Sequence, residues 1–161
     1  MLIKVTDLET YRDHFLKLLN YPKPLRDQLI LEFPVLNAFR TTEVATVTVE
    51  DINLEHGDIK VLDSMKHEKI KVPLDPNIAK HLKEYLKRSS FTSGFIFRPG
   101  PKAGRRTAKH LTDTAIDYIW GKWCRAAGIS YMSARYGRAY FALDWYLIQR
   151  KNIIALKQIL R

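Results

Sequence analysis

The residues of this chain that could handle charge-bearing chemistry fall into four groups. Arg40 and Glu43 stand three apart inside the stretch NAFRTTEVATVTVEDINLEHGDIKV, Asn37 to Val61. Lys66 and Lys69 sit at and just after a turn between two alternating apolar runs. Arg135 and Arg138 share one face of a later helical stretch. Arg98, Lys102, Arg105, Arg106 and Lys109 fill a segment rich in Pro and Gly. A guanidinium keeps its charge at any working pH and offers a planar fork of donors, whereas an ammonium is a compact charge that can give up a proton. The common theme is recognition of an anion. Arg40 and Glu43 lie on one helix face, since residues three apart are neighbours there; taken alone, that spacing describes a surface ion pair.

The charge balance supports an anionic partner. Twenty-seven Lys and Arg against seventeen Asp and Glu give +10 and a pI near 9.7. No acid occurs between Tyr85 and Thr112, and from Tyr118 to Arg161 Asp144 is the only one, against eight Lys and Arg. Such clustering favours nucleic acid. An anionic membrane surface is the weaker candidate, because the aromatics are dispersed through core-like helices, no run is apolar enough to span a bilayer, and the first residues are not a signal peptide. Cys124 is the only cysteine, which excludes an internal disulfide and fits a reducing compartment. Five scattered histidines give no metal-ligand spacing, so no metal and no cofactor is expected.

Length and composition fit one domain with its own core. Thr6 and Glu9 form a capping-box pattern opening a helix to about Asn20, with Leu8, Tyr11, Phe15, Leu18 and Leu19 inward. A second helix starts near Pro24, and Pro34 should kink or end it. Ile59 to Leu62 and Lys69 to Val72 read as a hairpin, and Phe95 to Phe97 as a short third strand. A third helix runs from Asp75-Pro76 to Arg88. Thr112 or Asp113 caps the next, whose stripe of Ile116, Ile119, Trp120 and Trp123 reads as packing, ended by Gly128. Ser133 opens a long helix to about Arg150, and a last one spans Asn152 to Leu160.

The order of these pieces resembles the catalytic domain of the tyrosine recombinases, the phage-integrase family. Phe39-Arg40-Thr41-Thr42-Glu43, then Glu50-Asp51-Ile52, then Gly57-Asp58-Ile59 resembles the family's first box. Val72-Pro73-Leu74 resembles the exit of its two-stranded hairpin, whose turn carries a lysine. That lysine is Lys66 if the turn differs by one residue from the usual length, with Lys69 the alternative. Arg138-Ala139-Tyr140-Phe141-Ala142 resembles the second box, His-x-x-Arg followed by a small-Phe-Ala pattern. Arg135 then stands where most members have histidine, a departure similar to the archaeal-virus branch of integrases. A rival frame gives these roles to Met132 and Arg135 but misplaces the Phe-Ala pair. Ile153 to Arg161 resembles the helix leading into the third box, whose His or Trp and nucleophilic tyrosine are expected after Leu160.

The resemblance implies a mostly α fold (α+β) with a small three-stranded antiparallel sheet, forming one integrase-like catalytic domain over residues 1–161 that lacks the segment with the nucleophile. It implies strand cleavage and rejoining on double-stranded DNA through a 3′-phosphotyrosyl intermediate, as in integration or excision of a viral genome, without a cofactor. Arg40 and Arg138 would hold the non-bridging phosphate oxygens, Glu43 would orient Arg40, and Lys66 would protonate the leaving 5′ oxygen. Arg135 cannot act as a base and can only add charge or a hydrogen bond. Lys69, Arg98, Lys102, Arg105, Arg106 and Lys109 would contact the DNA backbone. Self-association on DNA, as a recombinase tetramer in a longer parent, and a location on DNA in the host cell follow from the same resemblance. Tyr136, Tyr140 and Tyr146 are near the second box, but helical spacing makes Tyr140 and Tyr146 core. Two rival readings are a catalytically inactive DNA-binding protein of the same fold and a basic helical scaffold at a membrane surface.

Overall fold

A computed structural model describes residues 7–63, 66–100 and 109–160. Helix α1, Leu8–Asn20, turns Leu8, Phe15 and Leu18 into the core at helical spacing. Thr6, and with it the proposed capping box, lies outside the described residues. The chain leaves α1 through Tyr21–Pro24, where Lys23 Nζ donates to the carbonyls of Leu19 at 3.1 Å and Tyr21 at 2.5 Å. It thereby satisfies carbonyls that the helix end leaves open.

Helix α2, Leu25–Asn37, is the centre of the molecule: Leu29, Ile30, Leu31, Phe33 and Pro34 are all buried. Of the two outcomes expected at Pro34, a kink or an end, the end is corrected, because α2 runs through it. An internal proline costs about 3 kcal/mol. Here the ring is buried against Gly137 of helix α6, Ala134–Leu143, and that packing offsets the lost hydrogen bond. The helix ends three residues later instead. Ala38 takes a left-handed φ of 56°, and the Phe39 N–H reaches back to the Phe33 carbonyl at 3.2 Å, a left-handed ending with alanine where glycine is usual.

The short helix α3, Thr41–Ala45, and a 3-10 turn, Val49–Asp51, lead into a three-stranded antiparallel sheet of order β1-β2-β3. Its strands are β1 Ile52–Asn53, β2 Asp58–Asp63 and β3 Glu68–Pro73, with Ile59 opposite Val72 and Val61 opposite Ile70. Ile59, Val61 and Val72 face the core, as the alternation predicts. The third strand is Ile52–Asn53 and not Phe95–Phe97, a correction. Phe95 makes only an isolated bridge to Thr48. That pairing stays short because Gly94 (φ 76°) turns the chain on one side of it and Pro99 follows on the other.

Helix α4, Pro76–Ser89, starts with Asp75 accepting the Asn77 N–H at 2.8 Å. Helix α5, Asp113–Ala126, starts with Thr112 accepting the Ala115 N–H at 3.2 Å and ends before Gly128, φ 63°. Its Ile116, Ile119, Trp120 and Trp123 are core. The long helix expected from Ser133 to Arg150 is corrected: α6 gives way to a wide π-helical turn, Asp144–Ile148. The Asp144 carboxylate there accepts Gln149 Nε2 at 2.6 Å and the Tyr140 hydroxyl at 3.4 Å, and Arg150 at φ 50° ends the turn. Helix α7, Ile153–Leu160, follows, with Asn152 accepting the Ile154 N–H at 2.8 Å. No helix among the described residues is long and apolar enough to cross a membrane.

Candidate active site between α2, α3 and α6

The left-handed turn at Ala38 throws the chain out of α2, buries Phe39 against Phe33 (ring centroids 4.8 Å apart), and leaves Arg40 extended at the start of α3. Glu43, in the first turn of α3, accepts the Arg40 backbone N–H at 2.8 Å. This is half of a capping box. The other half needs a side-chain acceptor at the capping position, and an arginine has none, so the Arg40 guanidinium is left for other partners. Its Nη1 lies 3.6 Å from Glu43 Oε1.

Arg138 arrives from α6. Its Nη1 donates to the Ala38 carbonyl at 2.6 Å and lies 3.9 Å from Glu43 Oε2, while Nη2 donates to the Leu160 carbonyl at the end of α7. One carboxylate thus stands between two arginines. The Glu43 side chain is 7% exposed, Arg138 18% and Arg40 37%. A buried carboxylate needs paired charge and hydrogen bonds to be tolerated, and Glu43 has both. The guanidinium of Arg138 spends one hydrogen from each terminal nitrogen on carbonyls and turns its Nη1 side toward Glu43. Its orientation is set before any ligand arrives.

Both arginines open on a cavity of about 330 Å³ lined by Phe39, Arg40, Thr41, Ala134, Arg135 and Arg138. Its wall holds three guanidinium groups and no acid. The start of α6 forms one side, and the positive end of that helix dipole adds to the field. Arg135 is exposed there. The cavity is therefore built to receive an anion with several oxygen acceptors, a tetrahedral phosphate group being the matching shape.

The other sequence-designated residues separate in space. Lys69 Nζ lies 2.5 Å from Asp51 Oδ1, beside a second cavity of about 380 Å³ that shares Phe39 with the first and has Glu43 in its own lining. Lys66 is exposed in the turn between β2 and β3. Arg98 is held within its own loop: it donates to the carbonyls of Phe95 at 2.7 Å and Ser93 at 2.6 Å and lies 3.9 Å over the Phe91 ring. Lys109 is exposed, and Lys102, Arg105 and Arg106 lie outside the described residues. Among the described residues no three His, Cys, Asp or Glu side chains gather as metal ligands would.

None of the tyrosines on or beside α6 lines the arginine cavity. Tyr136 stacks on Tyr11 with centroids 6.0 Å apart. Tyr140 packs on Phe15 at 4.9 Å, and burial beside Asp144 pushes its hydroxyl up to about 12. Tyr146, expected in the core, is instead exposed on the wide turn, a correction: the π-helical turn breaks the helical spacing on which that expectation rested.

Three features of the site escaped the sequence. The Ala38 and Leu160 carbonyls carry no side-chain signal at all. Asp51 stood within a recognised acidic pair, but only the fold shows that it is 7% exposed and holds Lys69. Asp ahead of an isoleucine strand is the one signal that could have singled it out.

A family model described as the phage integrase family matches residues 9–151. The chain is 26% identical over 105 residues to tyrosine recombinase XerA of Pyrococcus furiosus, covering 65% of this chain and 36% of that protein. It is 30% identical over 99 residues to tyrosine recombinase XerC of Pelobacter propionicus, covering 59% and 32%. The chain spans about a third of the length of these curated relatives. Among solved structures, that of XerA recombinase superposes with a TM-score of 0.77 at 18% identity, over 99% of this chain and 55% of that one. A pre-cleavage complex of XerH site-specific recombinase bound to difH substrate superposes at 0.73, with 19% identity over 99% and 46%.

Proposed function

The chain belongs to the phage integrase family of tyrosine recombinases, and from that premise we propose that it is a recombinase catalytic domain that grips one phosphodiester of double-stranded DNA for cleavage and rejoining. The observation that carries the reading is the sharing of buried Glu43 by Arg40 and Arg138 at the edge of a cavity lined by three arginines. The DNA substrate named for XerH, a protein of the same fold, is consistent with it.

In this proposal Arg40 and Arg138 bind the non-bridging oxygens and stabilise the charge that gathers on them as a tyrosine hydroxyl attacks phosphorus. The phenolic oxygen becomes bonded to the 3′ phosphate, and the bond to the 5′ oxygen breaks. Lys66 hands a proton to that leaving oxygen. Glu43 keeps both guanidinium groups aimed at the cavity. Arg135 adds a third fixed charge and no proton chemistry. This reading leaves out Tyr136 and Tyr140 as nucleophiles, because Tyr136 stacks on Tyr11 and Tyr140 packs on Phe15 with its hydroxyl pushed up to about 12 by burial. The loop with Lys102, Arg105, Arg106 and Lys109 follows the DNA backbone, and several copies assemble on the duplex.

Binding of a duplex oligonucleotide, measured across a salt series for the unaltered chain and for Arg40→Ala/Arg138→Ala, tests the proposal. Salt-steep binding that weakens in the double variant supports it. Binding with no salt dependence removes the DNA reading. Binding untouched by loss of both arginines makes the chain an inactive DNA binder of the same fold.

A further inference from the structure

On the reading just given, the β2–β3 hairpin carries the lysine that serves the leaving oxygen, and two candidates stand three residues apart on it. Their surroundings separate them. Lys69 Nζ lies 2.5 Å from Asp51 Oδ1, and the other oxygen of Asp51 accepts the Thr48 hydroxyl at 2.8 Å. Asp51 immediately precedes β1, whereas Lys69 is on β3, and β2 lies between them. The Lys69 side chain therefore crosses β2, on the side of its register partner Leu62, to reach the opposite edge of the sheet.

The Asp51 turn is itself fastened. Its N–H donates to the Thr48 carbonyl at 3.2 Å, Val49 N–H donates to the Gly94 carbonyl at 2.9 Å, and the Glu50 carboxylate accepts the Gly94 N–H at 2.9 and 3.1 Å. Lys66 is in another situation. Its backbone N–H reaches Asp63 Oδ1 at 3.3 Å, and its side chain is exposed with no partner among the described residues.

We propose that Asp51 is a positioning residue: its ion pair with Lys69 is a strap across the sheet that fixes the turn end of the hairpin and so presents Lys66, in that turn, to the DNA. Lys69 is the second residue of β3, so only Glu68 and His67 separate the strap from Lys66. The strap is durable because opening it leaves a buried carboxylate without its cation. It uses up Lys69 as a group that could meet DNA, and it assigns the proton-donating lysine to Lys66. An arginine can replace Lys69 in the strap, and a methionine cannot.

The test is lysine acetylation, followed residue by residue by mass spectrometry, on the chain alone and bound to duplex DNA. It compares the unaltered chain with Asp51→Asn, Lys69→Met and Lys69→Arg, with a thermal melt for each. Lys69→Met changes a half-exposed position, so it keeps the test open should Asp51→Asn unfold. The expected result is at least tenfold slower acetylation of Lys69 than of Lys66 in the free chain, abolished by Asp51→Asn. DNA should shield Lys66 at least fivefold in the unaltered chain and in Lys69→Arg, and no more than twofold in Lys69→Met and Asp51→Asn at saturating DNA. Shielding of Lys66 that is equal in all four overturns the strap while the recombinase reading stands. Shielding of Lys69 in place of Lys66 overturns the assignment of the two lysines. Bound DNA that shields neither lysine overturns both the proposal and the role given to the hairpin.

Discussion

Arg138 Nη1 donates to the carbonyl of Ala38 at 2.6 Å, joining α6 to the end of α2 across 100 residues of sequence. The carbonyl is available because Ala38 has left the helix in a left-handed turn. The bond, the neighbouring Glu43 carboxylate and the Leu160 carbonyl together hold the guanidinium in one orientation.

Arg138→Lys keeps the charge and loses the fork. A lysine reaching for the Ala38 and Leu160 carbonyls and Glu43 has no donor set left over in the right plane. The expected outcome is an almost unchanged salt slope of DNA binding, with strand cleavage slower by about 10² to 10³ when the substitution is placed in a longer parent that supplies the nucleophilic tyrosine. Parallel salt titrations and a cleavage assay on nicked duplex substrate check it.

Arg135→Ala should weaken DNA binding uniformly across sequences and lower the slope of log K against log salt by about 0.9, the share of one phosphate contact. Arg135→His should make binding pH-dependent. The imidazole is protonated below about 6.5, so affinity falls as pH rises through that value, where the arginine shows no step. Fluorescence anisotropy at fixed salt from pH 5.5 to 8 measures both.

Gly137 marks the closest approach of α2 and α6. A methyl group there would lie 2.9 Å from Val35 Cγ2, 3.2 Å from Trp120 and 3.3 Å from Pro34 Cβ. Gly137→Ala should destabilise by up to about 2 kcal/mol, the overpacking cost of about 1–3 kcal/mol less about 1 kcal/mol of helix propensity. The displacement falls next to Arg138, so DNA affinity should drop with stability. Urea unfolding and a binding titration on the same sample give the two numbers.

Ser90 ends α4 at φ 55° on the surface, its N–H on the Leu86 carbonyl at 3.1 Å. A non-glycine residue there carries left-handed strain of about 1–2 kcal/mol. Ser90→Gly should stabilise the fold by about 1 kcal/mol and raise Tm by about 2–4 °C. A thermal melt decides it, and an unchanged or lower Tm contradicts the strain.

Burial pushes the Lys23 ammonium down to about 8, against the pull of Glu32 and Asp27. Between pH 8 and about 10.5 the unfolded chain therefore holds a proton on this side chain that the folded chain has released. Stability should rise with pH through that window on account of Lys23 and level off beyond it. Lys23→Met should remove the rise. Denaturant unfolding of both proteins at intervals from pH 7.5 to 10.5, compared as a difference, isolates it.

Local chemistry was legible in the sequence wherever neighbours along the chain decide the outcome. The stop at Tyr21–Pro24, the start at Asp75-Pro76, the Thr112 cap, the Gly128 ending and the core stripe of α5 all follow from residues within one or two turns. So did the hairpin of Ile59–Leu62 with Lys69–Val72, and the presence of Arg40 and Glu43 on one short turn. Tertiary structure decided what depends on a distant partner. Pro34 stays helical because Gly137 accepts its ring, and β1 rather than Phe95–Phe97 completes the sheet because it has β2 to pair with. Arg138 joins Glu43 only through the packing of α6 on α2, and Lys69 parts from Lys66 only because Asp51 waits across the sheet. The physical reason is common to all four. A propensity or a cap acts over a few residues, whereas a side chain's final partner is set by which surfaces the core brings together, and no spacing along the chain encodes that contact.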